Sequence, residues 1–560
     1  MQEGRKRLGE KLIEKGLISP EQLRIALEIQ RSTGELLGEV LVNAGFISQE
    51  QLNTALSEEI GATALSSLED VVPDPEALRL LPKDIAQRYR AVPLLVEDNY
   101  LTVAMVNPYD VVTVDALRKA TGKVIKTIVA PEAEILKAID LWYVGEEDRL
   151  DDLIRKASES VGRLGEELMG EEAPVVKLVN LMLIEAVKER ATDVHLEPES
   201  SATVLRYRVD GLLRVKKLLP KALERSIISR IKVMSGLDIS ETRLPQDGRA
   251  DFRFGGRVLD LRVSVFPTSH GENVVIRILD RARLITRVEA LGFGGQQLET
   301  FRRLIHRPQG MVLVTGPTGC GKTTTLYAAL NEINSTRINI MTIEDPIEYE
   351  LFFVRQSQVN PKIGLTFAEG LRTILRQDPD VILVGEIRDD ETVEVAMHAA
   401  LTGHLVFSTL HTNSAVQAIP RLRYMGAGPY VLASALAGVV AQRLVRMVCP
   451  ECRETYPPTE EELEMISQAL GDKLPRGSTL MLARGRGCKR CGNTGYMGRT
   501  AVAEVFEVDR ELFDLISGDA RVEEIERALK ERGYITMYQD GLMKALEGVT
   551  TLDEVRRVVV

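Results

Sequence analysis

The run Gly316-Pro317-Thr318-Gly319-Cys320-Gly321-Lys322-Thr323-Thr324 satisfies the pattern GxxxxGK[ST] in full. Its glycines let successive backbone N–H groups turn inward around phosphate oxygens, and a helix N-terminus behind them adds its positive dipole end. Lys322 is placed to reach the β- and γ-phosphates, and the Thr323 hydroxyl to ligate Mg²⁺. The pattern carries weight only between a strand and a helix. Here the apolar residues 311–315 read as a strand and residues 325–331 as a helix. A nucleoside triphosphate, ATP with Mg²⁺, is therefore the expected ligand, and Cys320 lies inside the loop rather than in a metal site.

Two further apolar strands end in acid: residues 338–343 run into Glu344-Asp345-Pro346, and residues 381–384 into Gly385-Glu386. Ligands of open parallel sheets bind at the carboxyl ends of strands, so both acids are expected to face the phosphate loop. One would hold the Mg²⁺ hydration shell while the other orients the attacking water. The plainer alternative is that each acid caps the next helix. A fourth strand, 405–408, is flanked by His404 and His411. A lone histidine is usually structural, whereas two around one strand also fit a γ-phosphate sensor or an inter-subunit contact.

Cys449-Pro-Glu-Cys452 and Cys488-Lys-Arg-Cys491 form two CxxC knuckles, each able to place two thiolates on one tetrahedral metal. Four cysteines leave no open coordination position, so the expected ion is a structural Zn²⁺. Redox-active or unligated thiols are the alternative.

These residues need several domains to hold them. A chain of 560 residues exceeds one hydrophobic core. Its 44% hydrophobic and 27% charged residues suit a globular protein, and its net charge of −11 argues against a dedicated nucleic-acid binder. No apolar signal region follows the N-terminus, and the longest apolar run, residues 430–441, stops at Gln442-Arg443, short of membrane-spanning length. Residues 1–61 contain a repeat: Leu8-Gly9-Glu10 recurs as Leu37-Gly38-Glu39, and Gln22-Leu23 as Gln51-Leu52. Each unit reads as paired helices around a Gly turn and a Ser N-cap. Residues 62–145 read as a small α/β domain, with a turn at Asn107-Pro108, and 146–172 as a mobile acidic linker with some helix. Residues 173–285 read as a helix followed by strands, with a hairpin turn at Asp210-Gly211. Residues 286–445 alternate strand and helix as a parallel sheet does. Residues 446–502 hold the cysteines, and 503–560 read as a small helical domain.

At this point the motifs resemble a known family. Thr342-Ile343-Glu344-Asp345-Pro346-Ile347-Glu348 is similar to the "Asp box" of type II secretion and type IV pilus assembly ATPases. Residues 375–389 (LRQDPDVILVGEIRD) resemble their Walker B segment and residues 402–412 (TGHLVFSTLHT) their His box, and Gln442-Arg443-Leu444 also fits. Upstream, residues 191–198, 206–211, 243–249 and 271–277 resemble the preceding domain of these motors. The resemblance implies Glu344 as general base, Glu386 as the Walker B acid, and His404 and His411 as sensors of the γ-phosphate. It implies arginines brought to the nucleotide, with Arg208, Arg249 and Arg277 the candidates. The fold implied is multidomain α/β: a RecA-like P-loop ATPase domain preceded by a small PAS-like α/β domain, with a tetracysteine zinc insertion found in the assembly branch. The N-terminal repeat resembles a module that binds cyclic-di-GMP. Arg7, Leu8, Gly9 and Gln30 match in the first unit and Leu37 and Gly38 in the second, where Leu36 and Glu59 depart from the pattern. A docking domain is the alternative.

The expectation is thus a cytoplasmic homo-hexameric ATPase at the inner-membrane face, driving pilus or pseudopilus assembly. It would meet the membrane only through a platform protein and bind no nucleic acid. Two alternatives stay open: a DNA translocase or helicase of the same fold class, and a cyclic-di-GMP-responsive scaffold with a nucleotide switch.

Overall fold

The chain divides into two compact units, Met1–Arg283 and Leu284–Val560, each taken by itself below. The computed structural model describes residues 9, 12–13, 17–33, 37–47, 68, 71, 73–97, 99–106, 110–143, 150–161, 174–254, 257–279, 287–474 and 480–559. Arg7, Leu8, Leu36, Glu59, the Asn107-Pro108 turn and much of the 146–172 stretch lie outside them.

In the first unit Ser19 starts the Pro20–Thr33 helix. Its hydroxyl accepts from the Gln22 N–H at 3.1 Å, and the Gln22 side chain accepts from the Ser19 N–H at 2.8 Å. This reciprocal capping box satisfies two donors that a helix start leaves unpaired. The helix packs with Leu37–Asn43 around Leu12, Ile18, Ala26, Val40, Leu41 and Ile47. A three-stranded sheet follows: β1 (Ala91–Glu97) antiparallel to β2 (Tyr100–Met105), and β2 parallel to β3 (Val124–Val129). The crossover helix Val111–Thr121 is capped by Asp110 and ends at Gly122, whose φ of 67° suits a residue without a side chain.

Within the stretch expected as a linker, Leu150–Val161 is a packed helix. Leu150, Leu153, Ile154 and Ala157 recur at i, i+3, i+4 and i+7 and are buried in the same core as the Pro174–Lys188 helix. That core covers one face of an antiparallel sheet in the order β6-β5-β4-β9-β8-β7. Its strands are β4 (Ala191–Pro198), β5 (Ala202–Val209), β6 (Leu212–Pro220), β7 (Gln246–Phe254), β8 (Arg257–Thr268) and β9 (Gly271–Leu279). The β5–β6 turn is made by Asp210 and Gly211 at φ 50° and 86°, the two left-handed residues that a two-residue hairpin needs.

The second unit is built on a seven-stranded sheet in the order β12-β11-β13-β14-β10-β15-β18, the last being Tyr496–Glu507. Strands β10 (Gly310–Thr315), β11 (Ile340–Glu344), β12 (Val354–Gln358), β13 (Val381–Val384), β14 (Leu405–Leu410) and β15 (Leu436–Val448) run parallel. β10, β13 and β14 are buried at every residue, as a central parallel strand covered on both faces must be. The apolar run 430–441 is split between the Pro429–Ala435 helix and β15.

The boundary expected at 502 falls inside a strand. β18 (Tyr496–Glu507) pairs antiparallel with β15 and closes the sheet. The helices beyond it have no core of their own. Arg510–Ser517 and Val522–Glu531 bury Leu512, Ile516, Ile525, Ala528 and Leu529 in the core that also holds Ile382, Val406 and Val439. Helices this short cannot bury an apolar face alone.

The last helix, Leu552–Val559, is pinned by Glu554, which is 1% exposed. Its carboxylate accepts from the Arg446 backbone N–H at 3.1 Å, from Arg446 Nη2 at 2.8 Å and from Arg557 Nε at 2.9 Å. Burial opposes ionisation, yet these donors prevail and hold the carboxyl at about 2. A depressed carboxyl stabilises the fold above its ordinary value, and that contribution is lost as pH falls toward 2. Glu554→Gln is expected to cost on the order of 2 kcal/mol at pH 7 and to flatten the fall in melting temperature between pH 4.5 and 2.5, read by scanning calorimetry.

Candidate functional site

The phosphate loop joins β10 to the Lys322–Ile333 helix. Gly316, Gly319 and Gly321 take φ of 148°, 78° and 92°, the left-handed geometry that turns backbone N–H groups inward. At Gly316 a Cβ would lie 2.6 Å from Cys320 Sγ and 2.6 Å from the Gln442 carbonyl oxygen, so glycine is required twice over there. Pro317, Thr318 and Thr323 are exposed along the loop, and Thr324 is half-buried. Lys322 Nζ donates to the Gly316 and Pro317 carbonyls at 2.7 and 3.2 Å. Burial lowers the pKa of its ammonium, and the nearby Glu386 carboxylate works against that.

Gln442, on β15, staples the loop from below. Its Nε2 donates to the Cys320 carbonyl at 2.8 Å and its Oε1 accepts from Thr325 Oγ1 at 2.9 Å, at 1% exposure. Gln442→Leu strands both partners in a dry site. The expected cost is about 2–3 kcal/mol, with weaker ATP binding, measured by calorimetric melting and by titration with a fluorescent ATP analogue.

Parallel register places the loop, Glu386 and His411 at one end of the sheet. Thr315 is paired with Leu410, and β13 and β14 end alongside. The Thr315 hydroxyl accepts from the Thr412 N–H at 2.9 Å, tying the segment after β14 to the foot of the loop. His411 Nε2 lies 3.6 Å from Glu386 Oε2, and Arg388 forms an ion pair with Oε1 of the same carboxylate. Burial lowers the His411 pKa, and the positive charge of Lys322 lowers it further. Asp345 is also close enough to help stabilise the charged form of Arg388.

Two expected members are placed differently. His404 precedes Leu405, which pairs with Gly310 at the start of β10, so it sits at the opposite end of the strand from His411. Six strand residues at about 3.3 Å each put it roughly 20 Å from the phosphate loop. There its Nδ1 lies 2.9 Å from the Ala399 carbonyl. Glu344 does end β11 on the correct side, but its carboxylate is 3% exposed and turned into the protein. It accepts from Tyr327 Oη, from Thr342 Oγ1 at 2.6 Å and from Gln356 Nε2 at 3.0 Å. A general base needs a lone pair aimed at water, and three protein donors already occupy this carboxylate.

The expected arginines lie in the first unit, in one row across its sheet. Register pairs Arg208 with Asp193, Asp193 with Arg277, Arg277 with Arg262 and Arg262 with Arg249. Asp193 holds Arg277 Nε at 3.1 Å and Arg208 Nε at 3.5 Å. Arg249, Arg262 and Arg277 line a cleft of about 420 Å³ together with Asp247 and Ser264. Arg262 was not among the expected residues. Its signal is alternation along 258–265, which puts it on the polar face with Ser264.

In the N-terminal repeat, Gly9 is buried, and a Cβ there would lie 2.4 Å from Leu23 Cδ1, so a larger residue would displace the Leu23 side chain. Gln30 is half-buried in the Pro20–Thr33 helix, and Leu37 and Gly38 open the next helix.

The four cysteines do converge. The Sγ atoms of Cys449, Cys452, Cys488 and Cys491 all lie within 4.8 Å of one another, with neighbours at 3.7 to 3.9 Å. A tetrahedron with 2.3 Å Zn–S bonds needs sulfurs about 3.8 Å apart. Backbone N–H groups of Gly487, Cys488 and Gly495 donate to Cys452 and Cys491 sulfurs at 3.2 to 3.3 Å, the support a thiolate requires. Burial and the neighbouring sulfurs push Cys452 up to about 12. At Cys491 burial is overcome by backbone donors and adjacent thiols, and the thiol falls to about 6. Charge cannot accumulate on all four without a cation, so the donor set fits a divalent soft metal. The insert between the knuckles is the β16–β17 hairpin (Arg453–Tyr456, Leu482–Gly485) around the Glu460–Leu470 helix.

Comparison with known proteins agrees with this geometry. Residues 169–557 match the family described as type II/IV secretion system protein, and residues 63–149 match the MshEN domain. The type IV pilus assembly ATPase PilB of Myxococcus xanthus is 42% identical over 558 residues, 98% of each chain. The type II secretion system ATPase E of Vibrio cholerae is 42% identical over 495 residues, 86% of this chain and 97% of that one. Among solved structures, the ATPase DotB of Yersinia pseudotuberculosis aligns with a TM-score of 0.52 at 20% identity, covering 70% of this chain and 95% of that one, a likeness of fold.

Proposed function

This chain belongs to the type II/IV secretion system protein family and is an ATPase, and from that premise we propose that it is a homo-hexameric motor assembling a type IV pilus or a type II secretion pseudopilus. The observation that carries the reading is identity of 42% over 98% of both chains with a pilus assembly ATPase. Among the described residues no helix is long and apolar enough to cross a membrane. From the likeness to pilus assembly and type II secretion ATPases, the proposed station is the cytoplasmic face of the inner membrane, held there by a platform protein.

In this reading the loop amides and Lys322 bind the phosphates, and Thr323 holds Mg²⁺, which when bound neutralises phosphate charge. Glu386 serves the metal's water shell, with His411 beside it reporting the phosphate state. Because Glu344 is committed to buried donors, orienting the attacking water falls to the acidic turn that follows it. Arg208, Arg249 and Arg277, joined by Arg262, are proposed to meet nucleotide phosphates. The cysteines are proposed to hold a structural Zn²⁺. The repeat in residues 1–61 is proposed to bind cyclic-di-GMP, supported by the Arg7-Leu8-Gly9, Gln30 and Leu37-Gly38 pattern, while the MshEN match covers the adjoining residues 63–149.

The test is steady-state hydrolysis and light scattering of the full chain. Wild type is expected to turn over ATP only with Mg²⁺, with no response to duplex DNA. Glu386→Gln should still bind MgATP and assemble as a hexamer, while turnover falls about 100-fold or more. DNA-stimulated turnover would favour a translocase. Full turnover by a monomer would end the hexamer reading.

A further inference from the structure

Tyr327 lies on the helix that begins at Lys322, and its side chain is completely buried. Its hydroxyl donates to Glu344 Oε2 and accepts from the Glu348 N–H at 3.4 Å and from Gln356 Nε2 at 3.3 Å. Gln356 Nε2 also reaches Glu344 Oε1 at 3.0 Å and the Tyr349 carbonyl at 3.1 Å, while its Oε1 accepts from the Leu351 N–H at 2.6 Å. The Tyr327 ring stands edge-on to Tyr349 with centroids 4.5 Å apart. One phenol and one carboxylate therefore join the phosphate-loop helix, the end of β11, strand β12 and the turn 345–351.

We propose that Tyr327 and Glu344 are a positioning pair that fixes the acidic turn 345–348 relative to Lys322. Lys322 and Tyr327 are five residues apart on one helix, about 7.5 Å of rise, so the phenol tracks the end of the helix that would bear phosphate. The start of the turn borders the residue before Glu386: the Gly385 N–H donates to the Ile343 carbonyl at 2.8 Å, and a Cβ on Gly385 would lie 3.3 Å from Glu344 Cα. A buried carboxylate persists only where donors replace its water, and Tyr327, Thr342 and Gln356 supply them here. Burial and the adjacent carboxylate push the Tyr327 pKa far up, so the phenol remains a donor throughout the working range. The pair holds the site's geometry without touching the reacting atoms, and a small misplacement of a catalytic group slows chemistry more than binding.

The inference rests on the ATPase reading of the Lys322 site, and the experiment separates the two. Steady-state ATP kinetics of the full chain would be measured from pH 5.5 to 9 for wild type, Lys322→Ala, Tyr327→Phe, Glu344→Gln and the Tyr327→Phe/Glu344→Gln double variant. Phenylalanine keeps the ring contact and removes only the hydroxyl. The expected result is a kcat about tenfold lower for Tyr327→Phe, with ATP KM within about twofold and the acid limb of the pH profile unmoved. Glu344→Gln should stay well above Lys322→Ala, and the double variant should be no slower than the slower single, as two halves of one contact behave. If Tyr327→Phe does not fold, Thr342→Val and Gln356→Leu remove other donors to the same carboxylate and carry the same expectation. Wild-type kcat in Tyr327→Phe overturns the proposal. So does a Glu344→Gln as inactive as Lys322→Ala that loses the acid limb, which would make Glu344 the base. Unimpaired turnover by Lys322→Ala would instead overturn the reading of the site itself.

Discussion

Lys322→Ala is expected to lower Mg²⁺-dependent ATP turnover by about 10²- to 10³-fold while leaving the melting temperature nearly unchanged. The two effects separate because of where the side chain stands. Its ammonium donates to the carbonyls of Gly316 and Pro317, and Pro317 is exposed. The exposed Pro317 carbonyl re-pairs with water when the lysine is removed, and only the bond to buried Gly316 is lost outright, so the fold loses about 1 kcal/mol. What is lost is a positive charge in a partly dry loop, aimed at the place where negative charge grows on the transferred phosphoryl group. Gln442→Leu, which leaves buried partners unpaired, should show the reverse balance, with a marked loss of stability. Coupled-enzyme kinetics and calorimetry on the same preparations check both. A Lys322→Ala protein that melts normally and still turns over at more than about a tenth of the wild-type rate would remove Lys322 from the chemistry.

The second large effect is expected at the cysteines. Purified under reducing conditions, the chain should carry one zinc per subunit by elemental analysis, and Cys449→Ser or Cys491→Ser should abolish that stoichiometry. Chelation or either substitution is expected to lower the melting temperature of the second unit by about 5–10 °C. The loss should spread beyond the knuckles. Ile466, Leu470 and Leu482 of the insert share one small core with Leu542, Ala545 and Leu552 of the C-terminal helices. The backbone N–H of buried Cys449 also donates to the Gly495 carbonyl at 2.9 Å, next to the start of β18. All five cysteines are free, and neighbouring sulfurs at 3.7 to 3.9 Å are too far apart for a 2.05 Å disulfide. A chain without zinc that melts identically with and without chelator would refute the metal reading.

The parts of this protein legible in its sequence are those in which chemistry and local backbone coincide. The phosphate loop declares itself because glycines, lysine and hydroxyl must sit on one short strand–turn–helix, and the CxxC knuckles because two thiolates must reach one ion from one turn. The Asp210-Gly211 hairpin and the Ser19 cap are legible for the same reason. Strands such as β10 and β13 follow from uninterrupted apolar runs, since burial on both faces leaves no polar position.

The tertiary structure decided what depends on distant partners. Sequence adjacency put His404 and His411 around one strand, but parallel pairing sends its two ends to opposite sides of the sheet, and only His411 meets Glu386. Both acids end strands, yet the environment at each end set their fates: Tyr327, Thr342 and Gln356 surround Glu344, whereas Glu386 lies within the field of Lys322. Arg262 joined Arg249 and Arg277 through strand register, a property of pairing between strands rather than of any one of them. β18 entered the ATPase sheet because β15 offered a free edge that the cysteine insert loops back to fill. Periodicity along a chain reports how much of each residue is buried. Which element buries it, and at which end, is settled only when strands separated by tens of residues pair.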